Sequence, residues 1–232
     1  MTLDDEPSKG TNAQEEKELR RVFDHLASFR EKKKILVILN IYKERTVQLQ
    51  QSLSLHHVSI PVIDKSGNRM SSMDIQAELT ILSSDIEKKN IELHTLTTSG
   101  PKCITSGDLL DAMKALGKNC SKKEIQDMIW EGDEDLDEVI SWTELKAMFN
   151  RNLMDKTNLE PMNFFNVIQF MTYDKKLCGT ITADDTMAIL FARYGKGQLE
   201  SRMKMLFGSS DELTFVHYLE RRGKIGRNMA KG

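Results

Sequence analysis

The sequence is poor in the residues that build covalent or metal frameworks. Its three cysteines, Cys103, Cys120 and Cys178, lie far apart, with no CxxC spacing and no histidine cluster beside them. That excludes a zinc site and a disulfide framework, and reduced thiols are expected. Long apolar runs are missing as well. The longest, ILVILNIY from Ile35 to Tyr42, is far too short to span a bilayer, and the acidic, polar start MTLDDEPSKGTNAQEEKE is not a signal peptide. A soluble cytoplasmic protein with no membrane partner is expected. Neither charge sign is in large excess: the formal net charge is −2, so no global field draws the chain to nucleic acid. His25, His56, His57, His94 and His217 fall in no base or metal spacing, and there is no glycine-rich phosphate loop or nucleophile elbow. The chain therefore offers no recognisable catalytic machinery and is expected not to be an enzyme.

What is present is helical patterning. Residues 1–13 read as a disordered tail. From Gln14 to about Gln51 there is neither glycine nor proline, and apolar residues recur at Leu19, Val22, Leu26 and Phe29, then Ile35, Ile38 or Leu39, Tyr42 and Leu49. This predicts one striped helix about 55 Å long. An irregular tip is expected at residues 52–72, where a proline and the DKSG turn interrupt the pattern. A second helix follows to Leu96. Its residues Ile75, Leu79, Leu82, Ile86, Lys89, Leu93 and Leu96 alternate steps of four and three, a heptad seam containing one lysine. Residues 14–96 are thus expected to form a coiled-coil-like helical hairpin. The pattern does not decide whether the two helices pair with each other or with another chain.

Beyond residue 97 the helices become short and a phrase recurs. ITSGDLLDAMKALG begins at Ile104, ISWTELKAMF at Ile140, ITADDTMAILFARYG at Ile181 and LTFVHYLERR at Leu213, at a period of an internal array. One stretch stands out: DEDLDEVISWTE, residues 133–144, has carboxylates at its first, third, fifth and twelfth places, as a calcium loop does. Its sixth place, where glycine permits the sharp turn, is Glu138.

LGKNCSKKEIQDMIWEGD, residues 116–133, resembles the segment that joins paired EF-hands in calmodulin and troponin C, and ITSGDLLDAMKALG resembles the helix leaving a loop there. The resemblance covers residues 85–222. It implies an all-α fold with two EF-hand pairs, residues 85–152 and 161–222, a linker at 153–160, and short β-bridges between the eighth positions of neighbouring loops. It also implies a role in gripping helical segments of other proteins. A basic tail, residues 223–232, is expected to be flexible.

Each loop is scored on its own ligands. With Ile104 eighth, the first loop is TTSGPKCITSGD, where Thr97, Ser99, Pro101 and Asp108 hold ligand places; a single carboxylate does not bind calcium. With Ile181 eighth, DKKLCGTITADD keeps Asp174 and Asp185 but places Lys176 and Cys178 where oxygens are needed. The fourth loop, ending at His217, is a remnant. In residues 133–144 every oxygen is available: Asp133, Asp135, Asp137, the Val139 carbonyl, Ser141 and Glu144. Against it, Glu138 must adopt positive φ at a cost of roughly 1 kcal/mol, and six carboxylates in twelve residues repel one another. Two readings stay open: one weakly bound calcium ion at most, or an acidic loop without metal.

Methionines and phenylalanines of the second half suit a groove that accepts helices. The candidates are Met113, Met128, Met148, Phe149, Met171, Met187, Phe191 and Met203. Loops that no longer need the ion point to permanent attachment, and with a helical arm the combination resembles calmodulin-like subunits of ciliary and flagellar axonemes. A cytoskeletal location is the expectation drawn from that resemblance. The alternatives are a calcium sensor using residues 133–144 and a subunit like a myosin light chain.

Overall fold

A computed structural model of the chain describes residues 10–54, 63, 70–98, 102–157 and 159–229, with side chains to Arg222. The first nine residues of the expected tail, most of the expected tip, and Ser99 and Pro101 of the first loop lie outside the described residues. Among the described residues there are nine helices and four short strands: α1 (Ala13–Leu26), α2 (Phe29–Ser54), α3 (Ser72–Thr98), β1 (Ile104–Thr105), α4 (Ser106–Ala115), α5 (Lys122–Trp130), β2 (Val139–Ile140), α6 (Trp142–Met154), α7 (Asn163–Tyr173), β3 (Thr180–Thr182), α8 (Ala183–Phe207), β4 (Glu212–Thr214) and α9 (Phe215–Met229). The fold is all-α with short β-bridges, as expected. No described helix is long and apolar enough to cross a membrane.

The strands pair as the recurring phrases require. Ile104 faces Ile140 in the antiparallel pair β1–β2, and Ile181 faces Leu213 in β3–β4. Each bridge satisfies backbone groups between two loops and fixes two helix starts at once. Among the described residues six helices begin with a capping box, in which an Asn, Ser or Thr side chain accepts from the backbone three residues on and an acid there answers: Asn12 with Glu15, Ser71 with Asp74, Thr105 with Asp108, Ser121 with Glu124, Ser141 with Glu144 and Thr182 with Asp185. α8 bends at Gly195, whose φ of 68° and ψ of 179° no helix interior accepts.

The chain divides into two compact units, residues 30–101 and the remainder. The smaller is the arm. Leu49 packs with Ile75 and Leu82, with Tyr42, Leu53, Met70 and Leu79 around them, and Arg45 holds Glu78 through Nε at 2.8 Å and Nη2 at 3.1 Å. Tyr42 also lies close enough to Lys89 to act on its charge. Contacts therefore climb α3 as they descend α2, so the two helices run antiparallel and fold on each other.

The larger unit corrects the expected boundaries. The helix predicted over residues 14–51 is broken: Ala27 leaves helical geometry and Ser28 sits at φ 60°. α1 does not belong to the arm. Its residues Leu19, Val22, Phe23 and Leu26 are fully buried in the core shared with α4 to α9. α1 packs on α4, α6, α7 and α8, and Lys102, where the chain returns from the arm, pairs with Asp24 at 2.9 Å. α1 is thus the helix that precedes the first hand, and the arm is an insertion between it and β1. The first pair accordingly does not begin at residue 85. Thr97, expected in the first loop, is on α3 with its hydroxyl bonded to the His94 carbonyl at 2.7 Å. At the other end, α9 runs through Met229 where a flexible tail was expected from residue 223.

Polar contacts fix α1 on two sides. Glu16 pairs with Lys146 at 2.5 Å, and Arg20 lies 4.9 Å from the Trp142 ring centroid while Phe23 meets the same ring edge-on at 5.6 Å. Toward the second pair, Arg21 donates to the carbonyls of Met171 at 2.9 Å and Thr172 at 3.3 Å, capping the end of α7. Glu15 forms a bidentate pair with Arg193 of α8. Their side chains are only 7% and 10% exposed, so neither charge has water to fall back on.

Removing one partner of such a pair strands the other. Arg193→Ala is expected to lower unfolding stability by about 3–5 kcal/mol, whereas Arg45→Ala, in the more exposed arm pair, should cost under about 1 kcal/mol. Urea denaturation of both variants checks the contrast.

Candidate metal centre

The loop of residues 133–144 is suspended between two rigid helix ends. α5 stops at Trp130, and its C-cap Glu131 turns inward, 6% exposed. Glu131 accepts from the Phe164 amide at 2.7 Å and from Asn163 at 2.9 Å, capping α7, which has no side-chain cap of its own. Burial raises the Glu131 carboxyl above the usual range even though these bonds favour its ionised form. On the far side, β2 and the Ser141 cap fix the start of α6.

Between these anchors three carboxylates converge. One oxygen each from Asp133, Asp135 and Asp137 lies within 4.8 Å of the others. The backbone holds them there. Asp133 accepts from the amides of Asp137 at 3.2 Å and Glu138 at 3.0 Å, Asp135 from Asp137 at 3.3 Å, and Asp137 from Val139 at 3.0 Å. Desolvation, then the charges of Asp137, Glu144 and Asp133, raise the Asp135 carboxyl. A divalent cation would relieve that crowding.

Glu138 takes the positive φ that the missing glycine predicts, 67°, and Leu136 does so too, at 62°. The second left-handed residue was not foreseen. The 174–185 loop repeats the pattern with Leu177 at φ 53° and Gly179 at 81°. There Asp174, 1% exposed, accepts from the amides of Cys178 at 3.1 Å and Gly179 at 2.6 Å. The first-position aspartate and the two left-handed residues are therefore one backbone device shared by both loops.

Glu144 behaves differently from the three aspartates. Buried at the base of the loop, it accepts from the amides of Glu134 at 3.0 Å, Asp135 at 3.4 Å and Ser141 at 2.8 Å. Partial burial opposes its ionisation, but bonds from Ser141, Glu134 and Asp135 prevail and lower its carboxyl. It thus ties the loop from first residues to last, and its carboxylate is not among the three that lie within 4.8 Å of one another. Ser141 and the Val139 carbonyl stand beside it on β2 and the α6 cap.

In the 174–185 loop, Asp185 is a capping partner of Thr182 at 2.6 Å. Lys176 and Cys178 are exposed, and the Cys178 thiol lies 3.7 Å from the Asp174 carboxylate. Only Asp174 and Asp185 offer carboxylates at ligand places of this loop. Asp108 likewise caps Thr105 at 2.6 Å.

The expected groove residues separate. Met113, Met128, Met148, Phe149 and Met171 are at most 5% exposed and lie in the core, and Met203 packs against it half-buried. Met187 and Phe191, one turn apart on α8, are exposed at 43% and 52%. Sequence reasoning missed Glu15, Arg21, Glu131 and Arg193. The Asn12–Glu15 capping box was the readable signal that a helix starts at Ala13, but nothing local announces what its apolar face meets.

Residues 102–152, from β1 through α6, match the family model described as an EF-hand domain pair. With two bridged loops and the acidic cluster in the second of them, this match supports placing the chain in the EF-hand superfamily.

Proposed function

We propose that the chain is a non-catalytic, calmodulin-like adaptor that holds one calcium ion in residues 133–144 and engages helical segments of partner proteins. The observation that carries the calcium reading is the conformation of the loop. Leu136 and Glu138 are left-handed and three aspartates converge, so the ion meets assembled oxygens. Asp133, Asp135, Asp137, the Val139 carbonyl, Ser141 and Glu144 would hold it. The β-bridge and the Asp133 bonds impose the left-handed backbone, so its strain weighs on folding more than on the ion.

The adaptor reading is supported by an apolar surface and an inserted arm. Met187 and Phe191 lie open on α8, and loops lacking ligands leave the fold independent of metal in the second pair. We extend it to an assembly subunit of a cytoskeletal, ciliary machine on the combination of metal-poor hands and a long helical arm. If that holds, a tagged full chain in ciliated cells stays with the axoneme through detergent and high-salt extraction; recovery in the soluble fraction retires the location.

Calorimetric titration with calcium, with and without magnesium, is expected to show one site with a dissociation constant of about 10⁻⁵ M, near the weak end of sensor sites. Trp130 and Trp142 report it independently by fluorescence. Glu144→Gln should abolish binding, and Glu138→Gly should stabilise the fold by about 1 kcal/mol while changing affinity less than tenfold. No heat and no spectral change at saturating calcium would remove the site.

A further inference from the structure

Trp130, at the end of α5, and Leu136, in the loop that follows, are each 69% exposed, and Leu136 is held there at φ 62°. Both line one recess of about 390 Å3, together with Ile129 and with Ser106, the first residue of α4. An open indole beside an open leucine, rimmed by polar groups, is the composition of a surface that a partner covers.

The rim states the charge of that partner. Asp127, Asp133 and Glu138 line the recess, and no lysine, arginine or histidine does. Asp127 precedes Trp130 by three residues on α5, so the two share one side of the helix. The neighbouring Glu134 is held by Arg151, but among the described residues neither Asp127 nor Glu138 takes part in an ion pair. The acids around Trp130 are therefore complementary to a cation that the described residues do not supply.

The other tryptophan shows what such a ring takes. Trp142 has the Arg20 guanidinium 4.9 Å from its ring centroid, and Tyr194 has that of Arg202 at 4.2 Å. Among the described residues Trp130 has no cation over its ring. Arginine suits the recess better than lysine: its planar group stacks on an indole and forks to a carboxylate, while its aliphatic stem lies along apolar side chains such as Leu136 and Ile129.

We propose that this recess is a docking site for an arginine-bearing segment of a partner protein, with the guanidinium over Trp130 and between Asp127 and Glu138. The proposal rests on the adaptor reading and gives it a partner chemistry at a surface other than Met187 and Phe191. Asp133 belongs to the metal loop as well, so the test uses the full chain in chelator. The probe is an alanine-based helical peptide with arginines along one face, beside copies with lysine or glutamine in their place. Calorimetry is expected to show one site for the arginine peptide, with a change in Trp130 fluorescence, and binding at least about tenfold weaker for the glutamine copy. Trp130→Ala and Asp127→Lys should each weaken the arginine peptide by at least about tenfold. Glu44→Lys, the same change of net charge on an exposed residue of the arm, should not. All these positions are exposed, so circular dichroism should be unchanged. No binding, or binding weakened equally by Glu44→Lys, overturns the site, and a lysine peptide that binds as tightly overturns the stacking. Binding lost in Phe191→Asp and kept in Trp130→Ala overturns the site while the adaptor reading stands.

Discussion

The larger unit depends on a helix that precedes the arm in sequence. α1 brings an apolar face, Leu19, Val22, Phe23 and Leu26, into a core built otherwise from residues beyond 102. It also brings the carboxylate that neutralises Arg193, 178 positions away. Apolar burial supplies the attraction, at roughly 25 cal/mol per Å2, but gives little orientation. The Glu15–Arg193 pair and the Arg21 contacts with α7 fix where along the groove α1 sits, because displaced charges would be buried without partners. The arm can therefore be inserted between α1 and β1 without unravelling the first hand: its two ends are held together by α1 packing and by Lys102 on Asp24.

A second constraint explains how these loops keep their shape whatever oxygens they carry. In a calcium loop the twelfth-position acid closes the coordination shell, but it is also the third residue of the helix that follows, where a carboxylate answers the N-cap. Asp108, Glu144 and Asp185 all do this. A carboxylate at that position is accordingly no sign of calcium by itself. What distinguishes residues 133–144 is that Glu144, one methylene longer than its counterparts, reaches across to the amides of Glu134 and Asp135. In the 174–185 loop, Asp174 keeps its bonds to two amides while Lys176 and Cys178 fill the places of oxygens, so the loop's shape is preserved and its ligands are not.

Much of this was legible because it is local or periodic. The bridge pairs Ile104 with Ile140 and Ile181 with Leu213 follow from four aligned phrases, and the α3 seam from its steps of four and three. The break at Ala27–Ser28 was not legible. No glycine or proline marks it, and the stripe of α1 continues into that of α2 at an acceptable spacing, so periodicity alone joins them. The decision is made by tertiary packing: Leu26 and Ala27 are both buried in the core of the larger unit. The methionines illustrate the same limit. Met113 and Met187 look alike in sequence, and only the packing places one in the core and the other at the surface.

Glu138 shows how to weigh a departure from a pattern. Judged as a lone substitution for glycine it reads as damage to a metal site. In place, it is one of two alternate residues, Leu136 and Glu138, driven left-handed by a shared frame, and Leu177 takes the same conformation in a loop that has Lys176 and Cys178 at ligand places. Since the same conformation occurs in a loop with a lysine and a cysteine at ligand places, it belongs to the backbone frame of the loop rather than to an ion. Its cost therefore falls on the equilibrium between folded and unfolded chain, where the β-bridge and capping boxes offset it. Affinity is left to the oxygens and to the repulsion among six acids, which a cation would turn from a burden into attraction.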